Sequence, residues 1–251
     1  MSGNGILLTL LAGSFFVIGY LITLFIKKAD KLINFTNGMA FSVMVILGMV
    51  DLSSEAWESF STYYNNNNFL GLGMTLLSIL VGVVIIKLID IMIPHHNHYE
   101  EKKTHYNHLY HIGMITFISL IIHNIIEGMS IYHLGNIDLK SGILVAVGIG
   151  LHNLPFGVQI GAIMNDDKNW KKSIFMIFSL FISMTLGGVL MGLIGGINLL
   201  VNGTLVGITL GMIIYLIIFE LLVEIKESNN KKLSYLGIIS GIILMIISMM
   251  L

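Results

Sequence analysis

The chain has 251 residues, 55% hydrophobic and only 11% charged, with 13 lysines against 14 acids and no arginine or cysteine. Ordinary soluble domains carry roughly 25% charged residues, so the composition excludes a soluble globular protein and marks an integral membrane one. The missing cysteines exclude disulfides and thiolate metal sites, and the near balance of charge gives no reason to expect a nucleic-acid partner.

A bilayer crossing takes roughly 20 apolar residues. Eight apolar runs meet that length, at about 5–26, 33–53, 69–93, 112–133, 142–164, 173–196, 203–223 and 233–251. The predicted fold is all-α: a single polytopic transmembrane domain, 1–251, built as a bundle of eight helices. The first run lacks a basic leader and a small-residue cleavage motif, so it is read as a retained span. The second ends in "MVDLSSEAW", which holds Asp51 and Glu55, and "SSEAWESFSTYYNNNN" after it is expected to be a solvated linker with interfacial aromatics. Near the end of the third stands Asp90, with Lys87 as its ion-pair partner or as a snorkelling side chain.

Between runs three and four, the loop at 94–111, "PHHNHYEEKKTHYNHLYH", carries His95, His96, His98, His105, His108 and His111. Such density suits loose divalent-metal binding, since histidine is the commonest metal ligand; the alternative is a plain polar linker. The fourth run contains "ISLIIHNIIEGMSIY", where His123, Asn124 and Glu127 sit three and four residues apart and so share one helical face. Ionisable groups at this depth cost several kcal/mol and mark functional sites by default. A structural hydrogen bond between helices is the bland alternative. His133, further along, is open between metal ligand and interfacial residue.

The fifth run, "GIGLHNLPFGVQIG", places His152, Asn153 and Pro155 mid-membrane. Pro155 has no N–H for the Leu151 carbonyl, so the helix is expected to kink there, a defect that lipid tolerates only where protein or a cavity satisfies it. The two polar patches are expected to be the walls of one site. Its imidazole, carboxylate and amide donors suit zinc or another borderline divalent ion. In run six, Gly187, Gly188, Gly192, Gly195 and Gly196 are expected to permit close helix packing, as are Gly237 and Gly241 in run eight. Run seven ends in "IFELLVEI", with Glu220 and Glu224.

Alternate loops are strongly asymmetric in lysine. One side holds Lys27, Lys28, Lys31, Lys102, Lys103, Lys168, Lys171, Lys172, Lys226, Lys231 and Lys232, and the other holds Lys140. By the positive-inside rule, the rich side is cytoplasmic and both termini are extracytoplasmic. Asp51 and Glu55 then fall at the outer end of their span, and Glu220 and Glu224, in the same acid-Leu-x-x-acid pattern, at the inner end of theirs. Spans 1–3 mirrored by 6–8 as an inverted repeat would produce this. The two acidic pairs, with Asp90, then become the inlet and outlet of a metal path.

"HNIIEG" and, about thirty residues on, "GLHNLPFG" resemble the paired HNxPEG-type motifs of the ZIP (Zrt- and Irt-like) family of divalent-metal transporters. The eight-span layout and the His-rich loop are also similar to that family. The resemblance implies a metal path between spans two, four, five and seven, uptake toward the cytosol, alternating-access or elevator-like movement of one helix group against another, and pairing of protomers into a homodimer. The chain departs from the family pattern at Ile126, where a Pro is usual, and at Phe156 and Met184, where glutamates help to make a two-metal centre. His123, Glu127 and His152, with Asn124 and Asn153 as weaker oxygen donors, are therefore expected to hold one metal rather than two. The ion, zinc first, then iron, manganese or cadmium, is cargo and not a cofactor. The leading expectation is a permease, not an enzyme, in a prokaryotic plasma membrane. A transport-deficient homologue that binds or senses metal is the alternative, and an intramembrane metallohydrolase, for which no HExxH is present, comes third.

Overall fold

The computed structural model describes residues 3–25, 29–92, 101–137, 139–166, 170–196 and 198–250. Helix α1 spans Gly3–Leu24. Helix α2 runs over Ala29–Ile46, passes through a π-helical turn at Leu47–Leu52 and continues as Ser53–Tyr63; α3 is Asn68–Met92, α4 Glu101–Ile137, α5 Leu139–Asp166 and α6 Trp170–Ile194. Helix α7 repeats the design of α2, with Leu199–Tyr215, a π-helical turn at Leu216–Leu221 and Leu222–Glu227, and α8 is Lys231–Met250. Among the described residues eight helices are long and apolar enough to cross a membrane, which makes this an all-α integral membrane protein.

Local chemistry sets the ends. Asn67 Oδ1 accepts from the backbone N–H of Phe69 and Leu70, both at 3.1 Å, and caps α3, while Asn198 Oδ1 accepts from Val201 N–H at 2.8 Å and caps α7. Asn65 and Asn66, at φ +57° and +62°, turn the chain out of α2. Gly195 and Gly196 stop α6 at φ +76° and +147° with open space where a Cβ would stand. The expectation that these two glycines serve helix packing is thus corrected: they provide a turn that other residues rarely adopt.

Two further expectations change. The stretch expected to be a linker after span two is mostly helix to Tyr63. Ala56, Ser59, Phe60 and Ser61 are buried along it, so its polar composition belongs to an amphipathic helix end packed on α3 and α7. The loop 94–111 is also shorter than expected, because 101–111 already belong to α4. His95, His96 and His98 lie outside the described residues, as do the side chains of His105, His108 and His111.

Packing divides the helices into two groups of four. Helices α1, α4, α5 and α6 form one, with α1 on α5 and α4 on α6 as its main seams; α2, α3, α7 and α8 form the other, with α2 on α8 and α3 on α7. Each seam is closed by two glycines facing one another's helix. A Cβ on Gly19 would collide with the Leu154 carbonyl oxygen and one on Gly157 with that of Phe16. Gly128 and Gly187 stand likewise against Met184 and Ile125, Gly38 and Gly237 against Ser234 and Phe35, and Gly82 and Gly211 against Ile208 and Ile79. Small residues are how helices approach in lipid, where no hydrophobic force drives them together. Gly128 and Gly157 end the two HN motifs at the same position, so the α1–α5 seam and the α4–α6 seam match. Together with the paired π-turns, this is the packing an inverted repeat of 1–3 on 6–8 requires.

Candidate metal centre

Helix α4 carries His123 and Glu127 one turn apart, and α5, packed beside it, brings His152 to the same point. Glu127 Oε1 lies 2.9 Å from His123 Nε2 and 2.9 Å from His152 Nε2, and the imidazole centroids are 6.3 Å apart. One carboxylate oxygen is thus shared by two imidazoles from different helices. All three residues are buried, and one donor atom from each lies within 4.8 Å of the others. Tetrahedral zinc at about 2.1 Å from its donors separates them by about 3.4 Å, so the two Glu127–imidazole distances would lengthen by about half an ångström around an ion.

Asn124 and Asn153 are fully buried beside these ligands. Asn124 Nδ2 donates to the Leu180 carbonyl at 3.4 Å and to Ser183 Oγ at 3.2 Å, which ties the motif to α6. Among the described residues, Asn124 Oδ1, Glu127 Oε2, His123 Nδ1 and both polar atoms of Asn153 have no hydrogen-bond partner. Buried polar atoms are normally satisfied, and the unpartnered Glu127 Oε2 and His123 Nδ1 belong to the cluster whose donors lie together. Pro155 sits inside α5, which continues unbroken around it. Phe156 and Met184 are both fully buried.

A cavity of about 850 Å³ ends on the centre. From α4 it takes His123 and later residues such as Ser130 and His133, from α5 His152 and earlier ones, and from α2 Leu47, Asp51, Leu52 and Glu55. Among the described residues, none of α4 before His123 and none of α5 after His152 lines it, so the cavity leads from the candidate centre toward the Asp51 side. Asp51 is exposed, and a neighbouring groove adds Glu58 to Asp51 and Glu55. These three acids, spaced four and three apart, share one face of α2. The expected linker had hidden Glu58, although its helical spacing was present in the sequence. Asn202 of α7, also missed, donates to Glu55 Oε1 and Ser59 Oγ, each at 3.1 Å, and so fixes the acidic face at the cavity mouth.

Glu220 and Glu224 are buried and do not line the cavity. Asp90 Oδ2 accepts from the Tyr215 hydroxyl at 2.5 Å, across the α3–α7 seam. The structure therefore brings Asp51 and Glu55 into one cavity with the metal centre and leaves Asp90, Glu220 and Glu224 apart from it.

A helical membrane bundle with mirrored halves and a His₂Glu cluster at the floor of an acidic cavity defines an integral membrane protein with a candidate divalent-cation site. The chain belongs to the ZIP zinc transporter family, whose signature matches residues 94–249. It is 30% identical over 138 residues to the zinc transporter ZupT of Oceanobacillus iheyensis, covering 50% of this chain and 51% of that one. Against ZupT of Lysinibacillus sphaericus it is 28% identical over 173 residues, covering 67% and 57%. Against ZupT of Streptococcus mutans it is 27% identical over 255 residues, covering 98% and 96%. In the first two matches the chain spans little more than half of the relative's length.

Proposed function

We propose that this protein is a permease for a divalent cation, zinc first, and moves it toward the cytoplasm one ion at a time. The observation that carries the reading is the His123–Glu127–His152 cluster at the inner end of a cavity that leads to the acidic Asp51 side. Asp51, Glu55 and Glu58 concentrate cations at the mouth, and the acidic wall in a low-dielectric cleft raises their local concentration. The ion sheds water onto two neutral imidazoles and one carboxylate, with Asn124 or Asn153 as a further oxygen donor. The lysine asymmetry supports an extracytoplasmic mouth in a plasma membrane.

Release requires the side of the centre away from this cavity, the seal, to move. The glycine seams all lie within the two helix groups, whereas a Cβ at Gly148, between α5 and α8, would sit 3.3 Å from Ser248 Oγ and 3.4 Å from its carbonyl oxygen, without the collision that each seam glycine shows. Each group is thus tightly closed within itself and more loosely fitted to the other, which supports alternating access by movement of one group against the other. Asp90, Glu220 and Glu224 then serve as the outlet. With Phe156 and Met184 in place of the carboxylates a second ion would need, one ion is the stoichiometry, and its site keeps a net charge near +1, unfavourable in low dielectric. That charge favours quick release; it also supports the second reading, a protein that binds or senses metal without passing it. Hydrolysis is not supported, since the family is one of transporters.

Zinc, cadmium, manganese and iron flux into proteoliposomes tests the reading, beside His123→Ala and Glu127→Ala. Saturable flux lost in both variants is expected. Loss of a partner outside the coordination shell already costs about 10–100-fold in affinity, so loss of either direct ligand is expected to weaken zinc binding at least about 100-fold. Binding without flux in the unaltered protein sinks the permease and leaves the sensor.

A further inference from the structure

Gln159 lies on α5 seven residues past His152, about 10 Å beyond the metal centre on the sealed side. Its Nε2 donates to Asn37 Oδ1 of α2 at 3.1 Å. Gln159 is fully buried and Asn37 is 2% exposed. The two residues belong to different helix groups. Most of the other side-chain bonds between separate helices, such as Asn124 to α6, Asn202 to α2 and Tyr215 to Asp90, stay within a group. The bond from Ser248 Oγ to the Gly148 carbonyl, 2.8 Å, also crosses, at the open side. An amide pair deep in the apolar seal is a specific fastening, because parting it leaves two buried polar side chains to find other partners.

The mirrored architecture holds no counterpart of the pair. Aligning the two HN motifs sets Gln159 opposite Ser130, which lines the open cavity and bonds its own helix at Ile126 O, 3.3 Å. Asn37 falls opposite Val206 when the π-turns are aligned and opposite Leu210 when the seam glycines Gly38 and Gly211 are; both are buried and apolar. The mirror image of the seal therefore has no amide pair to close it. Given the proposed movement of the two groups, we infer that Asn37 and Gln159 are positioning residues for transport: their hydrogen bond latches the sealed side and biases the metal-free protein toward the state open on the Asp51 side. The metal centre then meets the cation before the latch is released.

The chain has no cysteine, so single reporters can be added without background. Ser130→Cys reports the open cavity, and Ala162→Cys, one turn past Gln159 on the same face and 2% exposed, reports the sealed side. Labelling by a hydrophilic thiol reagent in detergent, without metal, is compared in Gln159→Met, in Asn37→Leu and in the double variant. A lost hydrogen bond of ordinary strength changes a two-state ratio about fivefold. Labelling is therefore expected to rise about fivefold at Ala162→Cys, and to fall at Ser130→Cys to the degree that the open state is depleted. The double variant leaves neither amide buried alone, so it remains informative where a single variant fails to fold. Unchanged labelling at Ala162→Cys in the folded double variant overturns the latch, as does a rise at both reporters, which signals general loosening. Because labelling needs no flux, this outcome stands apart from failure of the permease reading.

Discussion

Phe156 is the side chain on which the charge of the proposed metal centre turns. It follows Pro155 four residues past His152 and is fully buried, so a glutamate there would be uncompensated until an ion arrived. Phe156→Glu is expected to lower metal-free thermal stability, since one buried unpaired charge costs several kcal/mol, and to gain more from added zinc than the unaltered protein does. Isothermal titration is expected to find one zinc per chain in the unaltered protein and two in Phe156→Glu with Met184→Glu. Two zincs in the unaltered bundle, or one in the double variant, contradict the role given to these residues. The residue scale was the most legible in the sequence: His123, Glu127 and His152 stood out because ionisable groups in apolar runs are costly wherever they occur. Asn202 gave no such signal, since an asparagine near a helix start is usually only a cap.

At the scale of the helix, spacing was readable and extent was not. The i, i+4 relation of His123 to Glu127 follows from helical geometry alone. The polar run after span two suggested a linker, yet burial of Ala56 and Phe60 against other helices holds much of it as α2. Hydropathy reports the lipid-facing part of a helix and misses an end that packs on protein. The glycine seams belong to this scale too. Gly187→Ala puts a methyl against the Ile125 carbonyl oxygen and is expected to lower the melting temperature, at an overpacking cost of about 1–3 kcal/mol. Gly73→Ala, with open space around it, is expected to be neutral or to stabilise the helix by about 0.4–1 kcal/mol. Equal melting temperatures for the two variants in detergent refute the seam.

For the whole molecule, the decisive relation is between the two groups of helices. A disulfide from Gly148→Cys to Ser248→Cys joins α5 to α8 across the groups, and one from Thr9→Cys to Gly188→Cys joins α1 to α6 within one group. Oxidation is expected to stop zinc flux in the first pair and to leave most of it in the second, with reduction restoring the first. Flux that survives the cross-group bond excludes relative movement of α5 and α8 as part of transport. The sequence by itself determined the class, the eight spans and the three candidate metal ligands, because apolar length and buried charge are penalties that each segment meets on its own. Only the tertiary structure decided that the ligands converge, that Asp51 and Glu55 share their cavity while Glu220 and Glu224 do not, and that Asn37 meets Gln159. Those facts depend on which helix faces approach, and close approach in lipid is settled by the fit of small residues against distant backbone.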